Sequence, residues 1–228
     1  MAKKRKQRSV DFVAQVSALE FPNTFNPYSQ ICPTHDDCAA AKIRRQNLEI
    51  VLDAAIAGGV DSIWIARDLG YRGGRRTGLA LTDELHLGDH AALIGADLPL
   101  SRATKGAAVG ERTATVVWQV LRAINRPIFL WNVFPLHPHE PSDPLSNRCH
   151  TRTERVACRH LLTWLLAELN PSRIVTIGRD AYMALAELEV QSDAVRHPSY
   201  GGQTEFAQSL EAMYGVKASG DSEQGALL

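Results

Sequence analysis

Short runs of β-branched and aromatic residues, each followed by a stretch of helical periodicity, constrain this chain more than any other feature. Ser62-Ile63-Trp64-Ile65-Ala66, Ile128-Phe129-Leu130-Trp131-Asn132-Val133 and Arg173-Ile174-Val175-Thr176-Ile177-Gly178 lack the polar/apolar alternation of a half-exposed strand. A strand that is apolar on both sides must be covered on both sides, which is the environment of a central parallel strand. Between these runs, apolar residues recur at helical spacing. Over 43–57 they are Ile43, Leu48, Val51, Leu52, Ala55 and Ile56, with Gly58-Gly59 as the stop. A helix over 113–124 is broken by Asn125-Arg126-Pro127, one over 154–169 ends at Asn170-Pro171, and another covers 180–188. The alternation predicts an α/β fold, a three-layer αβα sandwich with a central, mostly parallel short sheet and right-handed crossovers.

Composition narrows the class. With 45% apolar and 22% charged residues, disordered and collagen-like chains are excluded. No apolar run approaches the roughly 20 residues that span a bilayer, and the basic start is not followed by an apolar segment, so neither a membrane anchor nor a secretory signal is expected. The expected location is the cytoplasm, with the nucleoid DNA. The balance of 25 Lys+Arg against 25 Asp+Glu hides a polarised distribution. Lys3, Lys4, Arg5, Lys6 and Arg8 share one segment, and local patches of this kind, rather than net charge, decide whether a polyanion binds. The expected organisation is a basic flexible arm over 1–8, one domain over 9–217 and a flexible tail over 218–228.

In a parallel sheet the ligand crevice lies beyond the carboxyl ends of the strands. Those ends here carry Arg67-Asp68, Asn132-Val133-Phe134, Gly178-Arg179 and the turn Arg196-His197-Pro198-Ser199. An acid, an amide and an imidazole thus reach one crevice, beside the Gly- and Arg-rich stretch Gly73-Gly74-Arg75-Arg76-Thr77-Gly78-Leu79-Ala80-Leu81. In this order and spacing the set resembles the uracil-DNA glycosylase superfamily, with Ala66-Arg67-Asp68-Leu69-Gly70-Tyr71 similar to its first motif, Leu130-Trp131-Asn132 to the strand that ends in Asn, and His197-Pro198-Ser199 to its final motif.

The resemblance implies an enzyme that flips uracil out of DNA and hydrolyses the N-glycosidic bond, leaving an abasic site, as a monomer and with no cofactor. It assigns charge stabilisation and water positioning to Asp68 and the electrophilic role to His197. The types suit the chemistry, because the sugar gains positive charge while the departing base gains negative charge. Asn132 would read the base, since its amide meets both O4 and N3–H of uracil. Leu81 or Phe134 would form the wall where much of the family stacks an aromatic ring. Tyr71 stands beside Gly70, where one branch carries a Tyr that blocks the thymine methyl. Tyr200 follows His197-Pro198-Ser199 where a wedging Leu is usual, and reads either as the wedge or as a packed loop tyrosine. Phosphate contacts fall to Arg72, Arg75, Arg76, Arg148 and Arg152, with Ser199 and Tyr200 also against DNA.

Each residue has a plainer reading: a helix-capping or arginine-paired Asp68, a surface-loop His197, a loop-capping Asn132, a solvated helix start at Arg152. Cys32, Cys38, Cys149 and Cys158 read first as structural thiols, although some branches of the superfamily hold an iron–sulfur cluster on four cysteines, and a zinc site with His35 is the other alternative. Two rival functions remain: a DNA-binding protein on a degenerate glycosylase fold, and a metal-dependent hydrolase using His137-Pro138-His139 with Glu140 and Asp143.

Overall fold

The computed structural model describes residues 2–95 and 98–217, so the tail expected over 218–228 lies outside the described residues. The chain runs through α1 (Ala2–Ser17), a short strand β1 (Thr24–Phe25) and α2 (Ala40–Gly58). The central strand β2 (Ser62–Asp68) leads through α3 (Gly74–Thr77), α4 (Leu87–Leu93) and α5 (Arg112–Ile124) to β3 (Ile128–Phe134). After β4 (His137–Pro138), which pairs antiparallel with β1, come α6 (Arg152–Leu169), β5 (Arg173–Ile177), α7 (Arg179–Ala186), β6 (Asp193–Val195) and α8 (Gln203–Tyr214). The strands β2, β3, β5 and β6 form one parallel sheet in the order β3-β2-β5-β6, so the expected α/β architecture is the observed one.

Period-two alternation explains why the strand runs are apolar throughout. Ile63, Ile65, Phe129, Trp131 and Val133 enter a core shared with Phe12, Leu52, Leu161 and Leu165 of α1, α2 and α6. Trp64, Ala66, Ile128 and Leu130 enter a second core with Trp118 and Leu121 of α5 and Phe206 and Leu210 of α8. The helix stops work as their chemistry dictates. Asn125 and Asn170 take left-handed backbone at the ends of α5 and α6, and Thr151 with Glu154 closes a reciprocal capping box at the start of α6.

Two elements depart from the sequence expectation. Of the basic segment expected as a flexible arm over 1–8, residues 2–8 are helical and form the start of α1. Phe12, Val13 and Val16 are buried, Phe12 stacks on Trp164 at 4.8 Å, and lysine and arginine, good helix formers, carry the helix back from that anchor. The strand β6 is the other departure. It has three residues, two of them exposed, and gains its strand geometry only by pairing with Val175, Thr176 and Ile177 of β5 at the sheet edge. Its register places Val195 opposite Ile177, while Ala66 and Asp68 of β2 lie opposite Asn132 and Phe134 of β3. The carboxyl ends of all four strands therefore lie along one edge.

Candidate active site

A cleft of about 780 Å³ opens at that edge. Its walls include Ala66, Asp68, Gly70, Leu81, Glu111, Arg148, Gly178, His197, Ser199 and Tyr200. Asp68 ends β2 with its side chain nearly buried and both oxygens engaged, Oδ2 by Arg67 Nε at 2.5 Å and Oδ1 by His150 Nδ1. Arg67 reaches on to Asp180 at 3.2 Å. These contacts aim a carboxylate into the cleft in one fixed orientation.

His197 follows β6, and Gly178 makes room for it. Gly178 has a φ of +88°, and a Cβ there would lie 3.3 Å from the His197 Cβ. The Ser199 backbone N–H donates to His197 Nδ1 at 3.1 Å, and the Ser199 hydroxyl lies 2.7 Å from the same nitrogen. An accepting Nδ1 puts the ring proton on Nε2. Burial first, and then the Arg67 guanidinium, lower the pKa of His197, so the neutral ring with a donating Nε2–H is favoured. Ser199 thereby positions the imidazole, a role different from the DNA contact expected of it.

Asn132 is buried on the face shared with Ala66 and Leu130, and among the described residues neither its Oδ1 nor its Nδ2 has a hydrogen-bond partner. Leu81 stands in the cleft wall with a φ of +55°, a left-handed backbone that costs a non-glycine residue about 1 kcal/mol. The Trp118 indole holds it there by donating to the Leu81 carbonyl at 3.1 Å. Two expected base contacts are elsewhere. Phe134 is wholly buried, edge-on to Phe21 at 5.5 Å and 5.7 Å from His150, so it backs the Asp68 partner and forms no cleft wall. The Tyr71 hydroxyl accepts from Arg72 Nε at 2.8 Å and its ring lies under that guanidinium, outside the cleft walls.

The arginines divide into surface and interior. Arg72 and Arg152 are exposed. Arg75 and Arg76 are buried, which corrects their assignment to phosphate. Arg75 lies over the Phe25 ring at 3.9 Å and donates to His137 Nδ1 and the Pro144 carbonyl, while Arg76 pairs with Glu84 at 3.0 Å. Arg148 is likewise committed, its fork closing on both Glu154 oxygens at 2.7 and 2.9 Å. Against a burial that raises it, that pair and the Thr151 N–H hold the Glu154 pKa down to about 2. Tyr200 is 98% exposed at the cleft rim, with a φ of +51°, so it is not a packed loop tyrosine.

Side chains weighed for a metal have other partners or lie apart in burial. His137 has both nitrogens occupied, Nδ1 by Arg75 and Nε2 by the Ser146 carbonyl at 2.8 Å, and burial with the Arg75 charge pushes its pKa down to about 3. Cys32 and Cys158 are buried while Cys38 and Cys149 are exposed, and no group of three or more metal-ligating side chains gathers among the described residues.

Sequence reasoning missed His150 and Glu111. His150 was legible only through its place beside the Thr151-x-x-Glu154 capping box, which fixes where α6 begins. Glu111 is the N-cap residue of α5 yet makes no side-chain cap. A glutamate where Ser, Thr, Asp or Asn is usual was the available signal.

Comparisons with known proteins bear on the family and the fold. The profile of the uracil DNA glycosylase superfamily matches residues 80–214, more than half of the chain, a span that contains Asn132 and His197 and begins after Asp68. A search of curated proteins finds no match. Among solved structures, the chain is similar to SMUG2 of Pedobacter heparinus, with a TM-score of 0.57, 12% identity, and coverage of 91% of this chain and 95% of that one.

Proposed function

The chain belongs to the uracil DNA glycosylase superfamily, and we propose that it removes uracil from DNA as a monofunctional glycosylase, leaving an abasic site. The observation that carries this reading is the Asn132 amide, buried with its donor and acceptor both unpartnered among the described residues, at the β3 position opposite the cleft-lining Ala66 of β2. An unsatisfied buried polar group costs about 1 to 3 kcal/mol. A flipped uracil returns that cost by offering O4 to the amide N–H and N3–H to the amide oxygen.

In the reaction, the bond between sugar C1′ and base N1 breaks with its electron pair leaving on the base. The His197 Nε2–H receives the charge developing at O2, and Asp68 faces the cationic sugar and orients the water whose oxygen bonds to C1′. The water's proton ends on the released base, so atoms balance without a co-reactant. Leu81 gives the base an apolar wall, and the solvent-facing Tyr200 ring enters the space vacated in the stack.

The aliphatic Leu81 favours one competing reading, a DNA-binding protein without activity. Incubation with a uracil-containing oligonucleotide followed by alkali separates the two. Strand cleavage at the uracil supports the glycosylase, and binding without cleavage supports the rival.

The division among the arginines yields a further expectation. Replacing Arg72 and Arg152 together with Ala weakens binding to uracil and non-uracil DNA alike and flattens the log–log salt dependence by roughly one unit per lost contact. Arg75→Ala leaves that slope unchanged and instead destabilises the fold by about 1 to 3 kcal/mol, because the acceptors His137 Nδ1 and the Pro144 carbonyl lose their donor. Salt titrations of DNA binding, with denaturant unfolding of each variant, check both outcomes.

A further inference from the structure

The glycines at 70 and 73 leave a space in the cleft wall that another segment fills. A Cβ built on Gly70 would lie 2.3 Å from Glu111 Oε1, and one on Gly73 would lie 2.2 Å from Oε2. The Glu111 carboxyl therefore rests on the backbone of the loop after β2, in the position a side chain at 70 would occupy, and it lines the same cleft as Asp68 and His197. Its backbone is fixed by donation of the Glu111 N–H to Asp83 Oδ2 at 2.6 Å. Glycine at both positions is what permits this approach, since any larger residue overlaps the carboxyl.

We propose that Glu111 is a specificity-determining residue of this site, its protonated carboxyl donating a hydrogen bond to a carbonyl oxygen on the edge of the extruded base. The proposal rests on the glycosylase reading above and adds to it the group that selects an oxo-base from that wall. A carboxylic acid offers one donor and one acceptor, whereas a carboxylate offers acceptors only and repels a carbonyl oxygen.

The surroundings favour the acid. Burial first, and then the Asp83 carboxylate, push the Glu111 pKa up to about 7, against the opposing pull of Arg72. The titratable and charged groups around it are Arg72 from the loop after β2, Asp83 with its partner His86 from the loop before α4, Arg112 on its own helix, and, on the other walls of the cleft, Arg67, Asp68, Glu140, Arg148, Arg179, Asp180 and His197. His86 is stacked on Trp118 at 6.0 Å and engaged with Asp83, so it is turned away from service as a cation for Glu111.

The test compares wild type with Glu111→Gln and Glu111→Ala in single-turnover excision of uracil from pH 5.5 to 9. The wild-type rate is expected to fall about tenfold per unit above pH 7 as the acid ionises. Glu111→Gln keeps one donor and one acceptor without ionising, and its rate loses that alkaline limb, while Glu111→Ala is slow throughout. A second readout is independent of catalysis. Because the folded-state pKa is raised, the stabilising contribution of the protonated group is full below the unfolded value and is lost as pH rises through about 7. The thermal midpoint of Glu111→Gln should therefore gain on wild type between pH 5.5 and pH 8.5. An alkaline limb that survives in Glu111→Gln, a flat wild-type profile, or a gap in midpoint that does not open with pH each overturns the proposal. Absence of uracil excision at every pH overturns the glycosylase reading as well, and an opening gap in midpoint then leaves Glu111 as a buried acid with no base to read.

Discussion

Asp68→Asn lowers the single-turnover rate of uracil excision by two orders of magnitude or more, with little change in DNA affinity. The size follows from what the substitution removes. A carboxylate preorganised against a developing positive charge contributes on the order of 3 kcal/mol in a water-poor site, and the amide has the same shape without the charge. Asp68 is held by Arg67 and His150, so its orientation is fixed before substrate arrives and the reaction does not have to provide it. DNA affinity is insulated because Arg72 and Arg152, the exposed cations, lie outside this pairing. The same two partners make a stability control necessary, since Asn leaves one of them facing an N–H. Single-turnover rates normalised to folded protein, alongside equilibrium binding to a uracil-containing duplex, give the answer. An unchanged rate removes Asp68 from the chemistry.

Asn132→Asp is expected to abolish most uracil excision and to open a slight release of cytosine. Uracil presents O4 and N3–H to the wild-type amide, while cytosine sets donor against donor at position 4 and acceptor against acceptor at position 3. Each buried mismatch costs about 1 to 3 kcal/mol, so the pair favours uracil by several orders of magnitude. A carboxyl at 132 reverses the sense. It accepts from the cytosine amino group and, when protonated, donates to N3, and the apolar surroundings of Leu130 and Ala66 favour the protonated form. Oligonucleotides that differ only in U or C at one position, treated with each protein and then alkali, report both activities. Full uracil activity with no cytosine release would make Asn132 an unpaired structural amide, and the reader would lie elsewhere in the cleft.

The parts of this architecture that were legible in the sequence are those encoded locally. Apolar runs revealed β2, β3 and β5, Asn and Gly marked the helix ends, and strand order in a parallel sheet put Asp68, Asn132 and His197 at one edge. What was illegible depended on partners remote in sequence. Nothing near Arg75 or Arg76 distinguishes a guanidinium that meets phosphate from one that meets His137 or Glu84 across the loop. Phe134 ends a strand that points toward the crevice, yet Phe21 and His150 close over it. Glu111 matters because of two glycines about forty residues earlier, a relation that exists only after β2 and α5 have packed. The amphipathic stripe of α1 was masked by the basic residues around it.

The edge strand β6 has a consequence for how the site fails. His197 is tethered two residues beyond a three-residue strand with two exposed positions, whereas Asp68 ends β2, buried over its first five residues, and Asn132 sits on β3, buried throughout. Opening free energies vary across a fold, and a short outer strand belongs to its weakest cooperative unit. On warming, the imidazole is therefore expected to detach while the carboxylate stays in register on β2, so that excision activity is lost below the midpoint of global unfolding. Hydrogen exchange of β6 that opens at a lower temperature than that of β2 checks this expectation, with the thermal midpoint of the domain as the upper limit.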